Sequence, residues 1–168
     1  MLFRSYRDGQ NTRYQYFNSR GNDELLKNLA QKLAQDKLDL IVTSSTSATV
    51  AAAKATQGSA TPVLFLSAGN PHKLVKSFSS SGSNLTGISS GSLELMGKRM
   101  ELLRELAPRA IRVALPIDPH SVNYESNTQE VAEAAARFGF SVTELAASSP
   151  EEVDKRASSI SRKNFDAI

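Results

Sequence analysis

The chain has 168 residues, of which 40% are apolar and 22% charged, with a formal net charge of +3. These proportions are typical of a globular protein, and they exclude a disordered chain and a membrane-spanning one, since no stretch approaches the ~20 apolar residues of a spanning helix. The absence of cysteine excludes disulfides and thiolate sites, and two histidines do not favour a metal site. Lysine and arginine are scattered among the acidic residues without a basic run, so we predict no nucleic-acid partner and no metal.

Strand-like and helix-like segments alternate along the first stretch of the chain. Thr12–Phe17 is rich in β-forming residues and predicts a strand. Asn22 predicts the cap of a helix that runs to about Gln35, and the apolar run Leu38–Thr43 is typical of a strand covered on both faces. The elements predicted next are a helix over about Ser47–Thr56, a strand over Val63–Leu66, a short helix from Pro71 to about Phe78 and a strand over Leu85–Ile88.

The second stretch repeats this alternation. Ser92 predicts the cap of a long helix that stops at Pro108. The elements predicted after it are a strand over Arg112–Leu115, a helix over about Glu125–Phe138, a strand over Ser141–Leu145, a helix from Pro150 and the beginning of a strand over Asn164–Ile168. Because strands separated by helices imply parallel βαβ units, we predict the α/β class with helices on both faces of the sheet.

Polar loops follow four of the predicted strands, at the end where open α/β sheets bind their ligands. The first, Thr43–Thr49, offers hydroxyls and free backbone N–H groups at a helix start, which suits a carboxylate or a phosphate; a plain helix cap is the alternative. The others are Leu66–Pro71, Thr86–Gly91 and Asp118–Asn127, and the last has a mixture of groups suited to a zwitterion. The predicted ligand-binding residues are Ser44, Ser45, Thr46, Ser47, Ser67, Ala68, Gly69, Asn70, Ser89, Ser90, Asp118, Asn123 and Ser126.

Signals of enzymatic activity are poor. The chain lacks the glycine-rich motifs of dinucleotide and P-loop phosphate binding and the G-x-S-x-G elbow of serine hydrolases. A triad of Ser45, His120 and Asp118 can be written, but a chain this rich in serine permits many such sets. We therefore predict no catalytic residue and no cofactor, and we expect that the protein is not an enzyme.

The order of motifs resembles that of the ABC transporter substrate-binding proteins of the tryptophan/tyrosine type. The stretch KLDLIVTSSTSATVAAAKAT is similar to the family's VDLIV strand and TPA helix start. TPVLFLSAGNP, GSNLTGISSG and KRMELLRELAP resemble its IPIVF, PGGNVTG and KRLELLKELVP segments. RVALPIDP and AEAAARFGFSV fit the opening strand and helix of a second lobe, so the resemblance covers essentially the whole chain.

The resemblance implies a periplasmic-binding-protein type I fold, in which two Rossmann-like lobes close on a ligand about a hinge. Residues 1–108 would belong to the first lobe and residues 109–168 would begin the second. The family's first strand and helix are expected before Met1, and the rest of the second lobe after Ile168.

The resemblance also implies a function, the binding of a small molecule for an ABC importer. The expected ligand is an amino acid or a similar carboxylate, and the expected partner is the transporter's permease. We expect a periplasmic or lipid-anchored extracytoplasmic protein whose signal segment lies outside this chain. The alternative is a ligand-sensing module of a regulator with the same fold. Three residues depart from the family's pattern, since Ser47 stands where proline is common, Asn70 where aspartate is common and Asp118 where asparagine is common.

Overall fold

The structure is a computed structural model that describes residues 6–70, 73–77 and 79–168. One parallel sheet has the strand order β1 (Ile41–Ser44), β2 (Val63–Ala68) and β3 (Leu85–Ser89), and a second pairs β4 (Arg112–Ile117) with β5 (Ser141–Ala146). The helices are α1 (Asp23–Gln35), α2 (Thr46–Ala55), α3 (Met96–Leu106), α4 (Tyr124–Phe138) and α5 (Pro150–Ser159). The predicted α/β class is confirmed. Within the described residues, every helix is too short or too polar to cross a membrane.

The first sheet is covered on one face. Ile41, Val63 and Leu85 are buried with Ala52 of α2, and α1 contacts α2 and packs its Leu33 against the same cluster. On the opposite face, Val42 and Ile88 are 54% and 65% exposed. The prediction that Leu38–Thr43 is covered on both faces is therefore wrong, because side chains alternate along a strand and α2 packs on only one side of this one.

The second sheet lies in a larger apolar cluster. Met100 of α3 and Val131 of α4 pack with Val113 of β4 and with Phe140, which directly follows α4 and its glycine cap. Val113 and its neighbour Ala114 are both buried, so β4 is covered on both faces. Beside β4 the predicted last strand is present as one parallel bridge, between Val113 and Ala167.

Several predicted helix ends are confirmed. Asn22 caps α1, with its Oδ1 accepting a hydrogen bond from the Leu25 N–H at 2.8 Å. Gly139 ends α4 in the left-handed conformation, φ +70°, which glycine adopts without a steric penalty. Pro150 stands in the first turn of α5, where its missing N–H costs nothing.

Three local predictions are corrected. Thr12–Phe17 is not a strand: Thr12 has an isolated bridge to Asp8, and Tyr16 is 87% exposed, because β-forming side chains make a strand only beside a partner strand. The long helix begins at Met96, after turns that contain Ser92, so Ser92 does not cap it. The predicted short helix does not extend over residues 74–77, since among its described residues only Lys73 is helical, in a 3-10 turn; Pro71, His72 and Phe78 lie outside the described residues.

Candidate functional site

The loop between β1 and α2 is held in a strained conformation. Ser45 caps α2, with its hydroxyl accepting a hydrogen bond from the Ala48 N–H at 3.3 Å. Its backbone has φ +122° and ψ 159°, a conformation that residues other than glycine rarely adopt. The Ser45 N–H donates to the Leu66 carbonyl of β2 at 3.3 Å. The alternative of a helix cap thus holds for Ser45, and strain of this kind clusters at ligand-binding loops.

Thr46, the next residue, connects three of the four predicted loops. Its Oγ1 accepts hydrogen bonds from the Gly69 N–H at 2.9 Å and from Asn123 Nδ2 at 3.1 Å. A methyl group on Gly69 would lie 3.1 Å from Ser92 Oγ and 3.4 Å from Asn123 Nδ2, so the Gly69 backbone packs closely against both side chains. We call Thr46, Gly69, Asn70, Ser92 and Asn123 the Thr46 cluster.

Two amide oxygens in the Thr46 cluster have no hydrogen-bond partner among the described residues. They are Oδ1 of Asn70, a residue that is 6% exposed, and Oδ1 of Asn123, and both atoms are buried. Buried polar atoms in native proteins are nearly always paired, because leaving one unpaired costs ~1–3 kcal/mol. Both oxygens can therefore accept hydrogen bonds from donors that the described residues do not supply.

The amino ends of α2 and α4 meet at the Thr46 cluster, since Thr46 begins α2 and Asn123 precedes Tyr124, the first residue of α4. Helix amino ends carry free N–H groups and partial positive charge, which favour an anion. The cluster itself contributes hydroxyl, amide and backbone groups, all uncharged. Among the described residues, no group of histidine and acidic side chains is arranged to hold a metal ion.

The predicted residues at the carboxyl ends of β2 and β3 stabilise the loop of Gly69. Ser89 Oγ donates to the Ala68 carbonyl at 3.1 Å, and the Ser90 N–H donates to the same oxygen at 3.1 Å. Ser67 has φ +57°, at the point where the register between β2 and β3 shifts. These contacts fix the position of Gly69 and Asn70. Beside Thr46, Ser44 is exposed and Ser47 half-buried.

The structure does not bring Asp118 to the Thr46 cluster. Its Oδ1 accepts hydrogen bonds from the His120 N–H at 2.9 Å and from the Ser148 hydroxyl at 3.1 Å, so it ties together the loops after β4 and β5. Ser126 donates its hydroxyl to the Asn123 carbonyl at 3.2 Å and so supports the start of α4.

Tyr124, the aromatic residue of the same loop, is engaged elsewhere. Its hydroxyl donates to the carboxylate of Glu144 at 2.7 Å. This hydrogen bond raises the pKa of Tyr124 above its ordinary value, because the phenolate would lose the bond and face a negative charge.

The sequence did not indicate Ser92 as a site residue. Its position before an apolar helical pattern favoured a helix cap, yet the helix begins four residues later and Ser92 Oγ accepts from the Ser90 hydroxyl at 3.1 Å instead. The run of serines from Ser89 to Ser92 after a buried strand is the signal that could have indicated it.

Two depressions lie away from the Thr46 contact. A cavity of about 100 Å³ lies beneath β2 and β3 and reaches a site residue only at Ser89. An open groove of about 600 Å³ is lined by residues 107–110, Arg162, Phe165 and Asp166. Neither depression is lined by a member of the Thr46 cluster. Thr46 and Asn123 are in direct contact through their hydrogen bond.

Comparisons with known proteins give a consistent result. Residues 4–168 match the family model described as ABC transporter substrate binding protein. A tyrosine-binding protein of Clostridioides difficile is 28% identical over 159 residues, which are 94% of this chain and 45% of that protein. This chain therefore spans about half the length of the curated relative that it matches.

Solved structures show the same fold. A conserved domain protein of Vibrio cholerae superimposes with a TM-score of 0.84 at 24% identity, over 95% of this chain and 53% of that one. An ABC domain of Streptococcus pneumoniae in complex with L-Trp superimposes with a TM-score of 0.74 at 24% identity, over 85% of this chain and 49% of that one. The expected periplasmic-binding-protein type I-like architecture is thereby confirmed.

Proposed function

Because this chain belongs to the family of ABC transporter substrate-binding proteins, we propose that it binds a small amino acid-like carboxylate at the Thr46 cluster. The site lies between the first unit, which is β1–β3 with α1 and α2, and the second unit, which is β4 and β5 with α3 and α4. The observation that carries the proposal is the junction of Thr46, Gly69 and Asn123, where loops from both units meet at the amino ends of two helices. The relatives whose ligands are named bind tyrosine or were solved with L-Trp, which supports an amino acid as the ligand class.

The carboxylate of the ligand is held by the amino end of α2. Thr46 Oγ1 accepts two hydrogen bonds, and its own hydrogen has no acceptor among the described residues. That hydrogen and the first N–H groups of α2 are donors for a carboxylate, and the helix adds its partial positive charge. No step requires a nucleophile or a general base, so the chemistry is binding and release.

The longer protein delivers this ligand to the permease of an ABC importer from outside the cytoplasm. The family match supports this role, and the named relatives are binding proteins rather than enzymes. The predicted lobes, residues 1–108 and 109–168, are part of the same proposal. No comparison supports the alternative of a regulator's sensing module.

The test is calorimetric titration of the chain with L-tyrosine and L-tryptophan. Thr46→Val keeps the shape of the side chain but removes the hydroxyl, and one charge-assisted hydrogen bond contributes ~1.5–3 kcal/mol, so we expect affinity to fall about tenfold or more. Thr46→Ser keeps the hydroxyl and is the matched control, expected within about threefold of wild type. Thr46→Val also leaves the Gly69 N–H unpaired, which lowers the stability of the protein. Denaturant melts of the same samples measure that loss of stability separately from the loss of affinity.

Two outcomes would contradict the proposal. One is equal affinity in wild type and Thr46→Val, which would show that the ligand does not bind at the amino end of α2. The other is the absence of amino acid binding together with turnover of a substrate, which would make the chain part of an enzyme.

A further inference from the structure

Asn123 occupies the cap position of α4 without capping it. An asparagine there ordinarily accepts a hydrogen bond from the second or third N–H of the helix. Asn22 does so at α1, where its Oδ1 accepts from the Leu25 N–H at 2.8 Å. Asn123 makes no such bond, and its Nδ2 donates instead to Thr46 of the first sheet unit at 3.1 Å. Its side chain is therefore held by the site rather than by its own helix.

This arrangement fixes an oxygen beside Thr46. Because Oδ1 and Nδ2 share one carbon, the bond to Thr46 also sets the position of Asn123 Oδ1, which is buried and unpaired. Asn70 Oδ1 is the second unpaired oxygen, on the residue after Gly69, whose N–H is bonded to the same threonine. One acceptor thus lies on a residue bonded to Thr46, and the other lies on the residue after one that is bonded to Thr46.

We infer that Asn70 and Asn123 recognise the amino group of the ligand through these two oxygens, an inference that rests on the proposed function. A carboxylate at the amino end of α2 presents the adjacent nitrogen of an amino acid a short distance away, and N–H groups are what unpaired amide oxygens accept. The ammonium group of the ligand pairs both oxygens while the Thr46–Asn123 hydrogen bond keeps Asn123 in place. Asn70 and Asn123 are the specificity-determining residues for an amine-bearing carboxylate.

Both acceptors are neutral, and this sets the kind of selectivity. Both oxygens belong to uncharged amides, and Asp118, the carboxylate predicted for this site, is bonded to Ser148 and the His120 backbone. A neutral oxygen accepts from an ammonium or from an uncharged N–H, whereas an aspartate favours the ammonium by its charge. Asn70→Asp should therefore change the selectivity in a direction opposite to that of an apolar variant.

The experiment compares L-tryptophan with 3-(indol-3-yl)propionate, which has the same ring and carboxylate but lacks the amine. Asn70→Leu replaces the amide by an apolar group of similar shape, so the fold is retained while the acceptor is lost. We expect Asn70→Leu to lower the affinity for L-tryptophan at least tenfold and to change the affinity for the analogue by less than twofold. Asn70→Asp should bind L-tryptophan more tightly and the analogue more weakly, and Asn123→Ala should resemble Asn70→Leu.

Asn22→Ala is the matched control, since it removes a capping asparagine far from the site and should leave both affinities unchanged. Equal losses for both ligands in Asn70→Leu would overturn the inference, because Asn70 would then only shape the cleft. Wild-type protein that binds both ligands equally would also overturn it while leaving the proposed carboxylate site intact. Binding of neither ligand would overturn the proposed function itself.

Discussion

The two sheet units differ in how their strands are covered. In β4 the neighbouring residues Val113 and Ala114 are both buried, so both faces are packed. In β1 only alternate residues are buried, and Val42 on the other face is 54% exposed. The sequences of the two strands are similarly apolar, and helices precede and follow both. An apolar run therefore indicates a strand of a parallel sheet, but it does not determine how many faces are covered.

The units also differ in what connects their elements. In the second unit, the guanidinium of Arg104 in α3 lies 4.1 Å from the centre of the Phe140 ring and donates to the carbonyls of Phe138 and Pro108 at 2.7 and 2.9 Å. In the first unit, β2 and β3 are joined by a close approach at one glycine, Gly87, opposite Phe65. The first unit thus contains a close steric fit between two strands, and the second a network of hydrogen bonds from one arginine.

The largest effect is expected at that glycine. A methyl group on Gly87 would overlap the Phe65 carbonyl oxygen and lie 2.5 Å from two atoms of the Phe65 ring. Because backbone would have to move, Gly87→Ala should lower the free energy of unfolding by about 3 kcal/mol, as measured by urea melts. The matched control is Gly97→Ala in α3, where nothing lies within 4 Å and alanine should stabilise by about 1 kcal/mol. A loss below about 1 kcal/mol for Gly87→Ala would refute the steric account.

An intermediate effect is expected from Arg104→Met. Methionine keeps the apolar stem on Phe140 but removes the hydrogen bonds to four carbonyls, those of Pro108, Ala110, Phe138 and Gly139. We expect the free energy of unfolding, measured by urea melts, to fall by about 2 kcal/mol. The partly buried carbonyls of Ala110 and Phe138 lose a donor, whereas the exposed carbonyls of Pro108 and Gly139 can bond to water. Arg99→Met in the same helix removes one exposed hydrogen bond of 3.4 Å and should change stability by no more than about 0.5 kcal/mol. Equal losses in both variants would show that the network adds nothing.

The smallest effect concerns acid stability of the second unit. The carboxylate of Asp166 accepts from Arg112 Nη2 at 2.7 Å and from the backbone N–H groups of Arg112 and Ile111. The Arg112 side chain first, and then these N–H groups, hold the pKa of Asp166 well below its ordinary value. A lowered pKa in the folded state contributes stability at neutral pH, and this is lost as the pH falls below about 4 towards the folded value.

Asp166→Asn should therefore be less stable than wild type at pH 7, and the two unfolding curves should converge as the pH is lowered below about 4. Thermal melts across this range provide the measurement. A difference that stayed constant with pH would mean that Asp166 acts through its shape and not through its charge.

Much of the fold could be predicted from the sequence, because local patterns encode it. Asn22, Gly139 and Pro150 mark helix ends through the backbone groups that they satisfy or lack. Thr12–Phe17 could not be assigned in this way, because pairing depends on a neighbour that no local pattern reveals.

The sequence indicated the loops of the candidate site better than the contacts within them. Thr46, Gly69 and Asn123 were all predicted from their places after strands, and the structure brings them together. Asp118 came from the same argument but is bonded to Ser148, since the strand-end rule fixes the edge of a sheet and not the direction of a side chain. The role of Ser92 depends on where α3 begins. Residues 92–95 form turns before the first helical residue, Met96, and the sequence pattern did not indicate them.

We propose that the ligand binds where the amino ends of α2 and α4 meet. Amide NMR spectra of the chain, recorded during titration with L-tryptophan, test it most directly. We predict saturable shifts that are largest for the backbone amides of Thr46 and Gly69 and for the side-chain amide of Asn123, because the ligand would pair with or displace their present hydrogen bonds. Shifts centred instead on Arg109, Arg162 and Asp166, which line the open groove on the second unit, would contradict the claim.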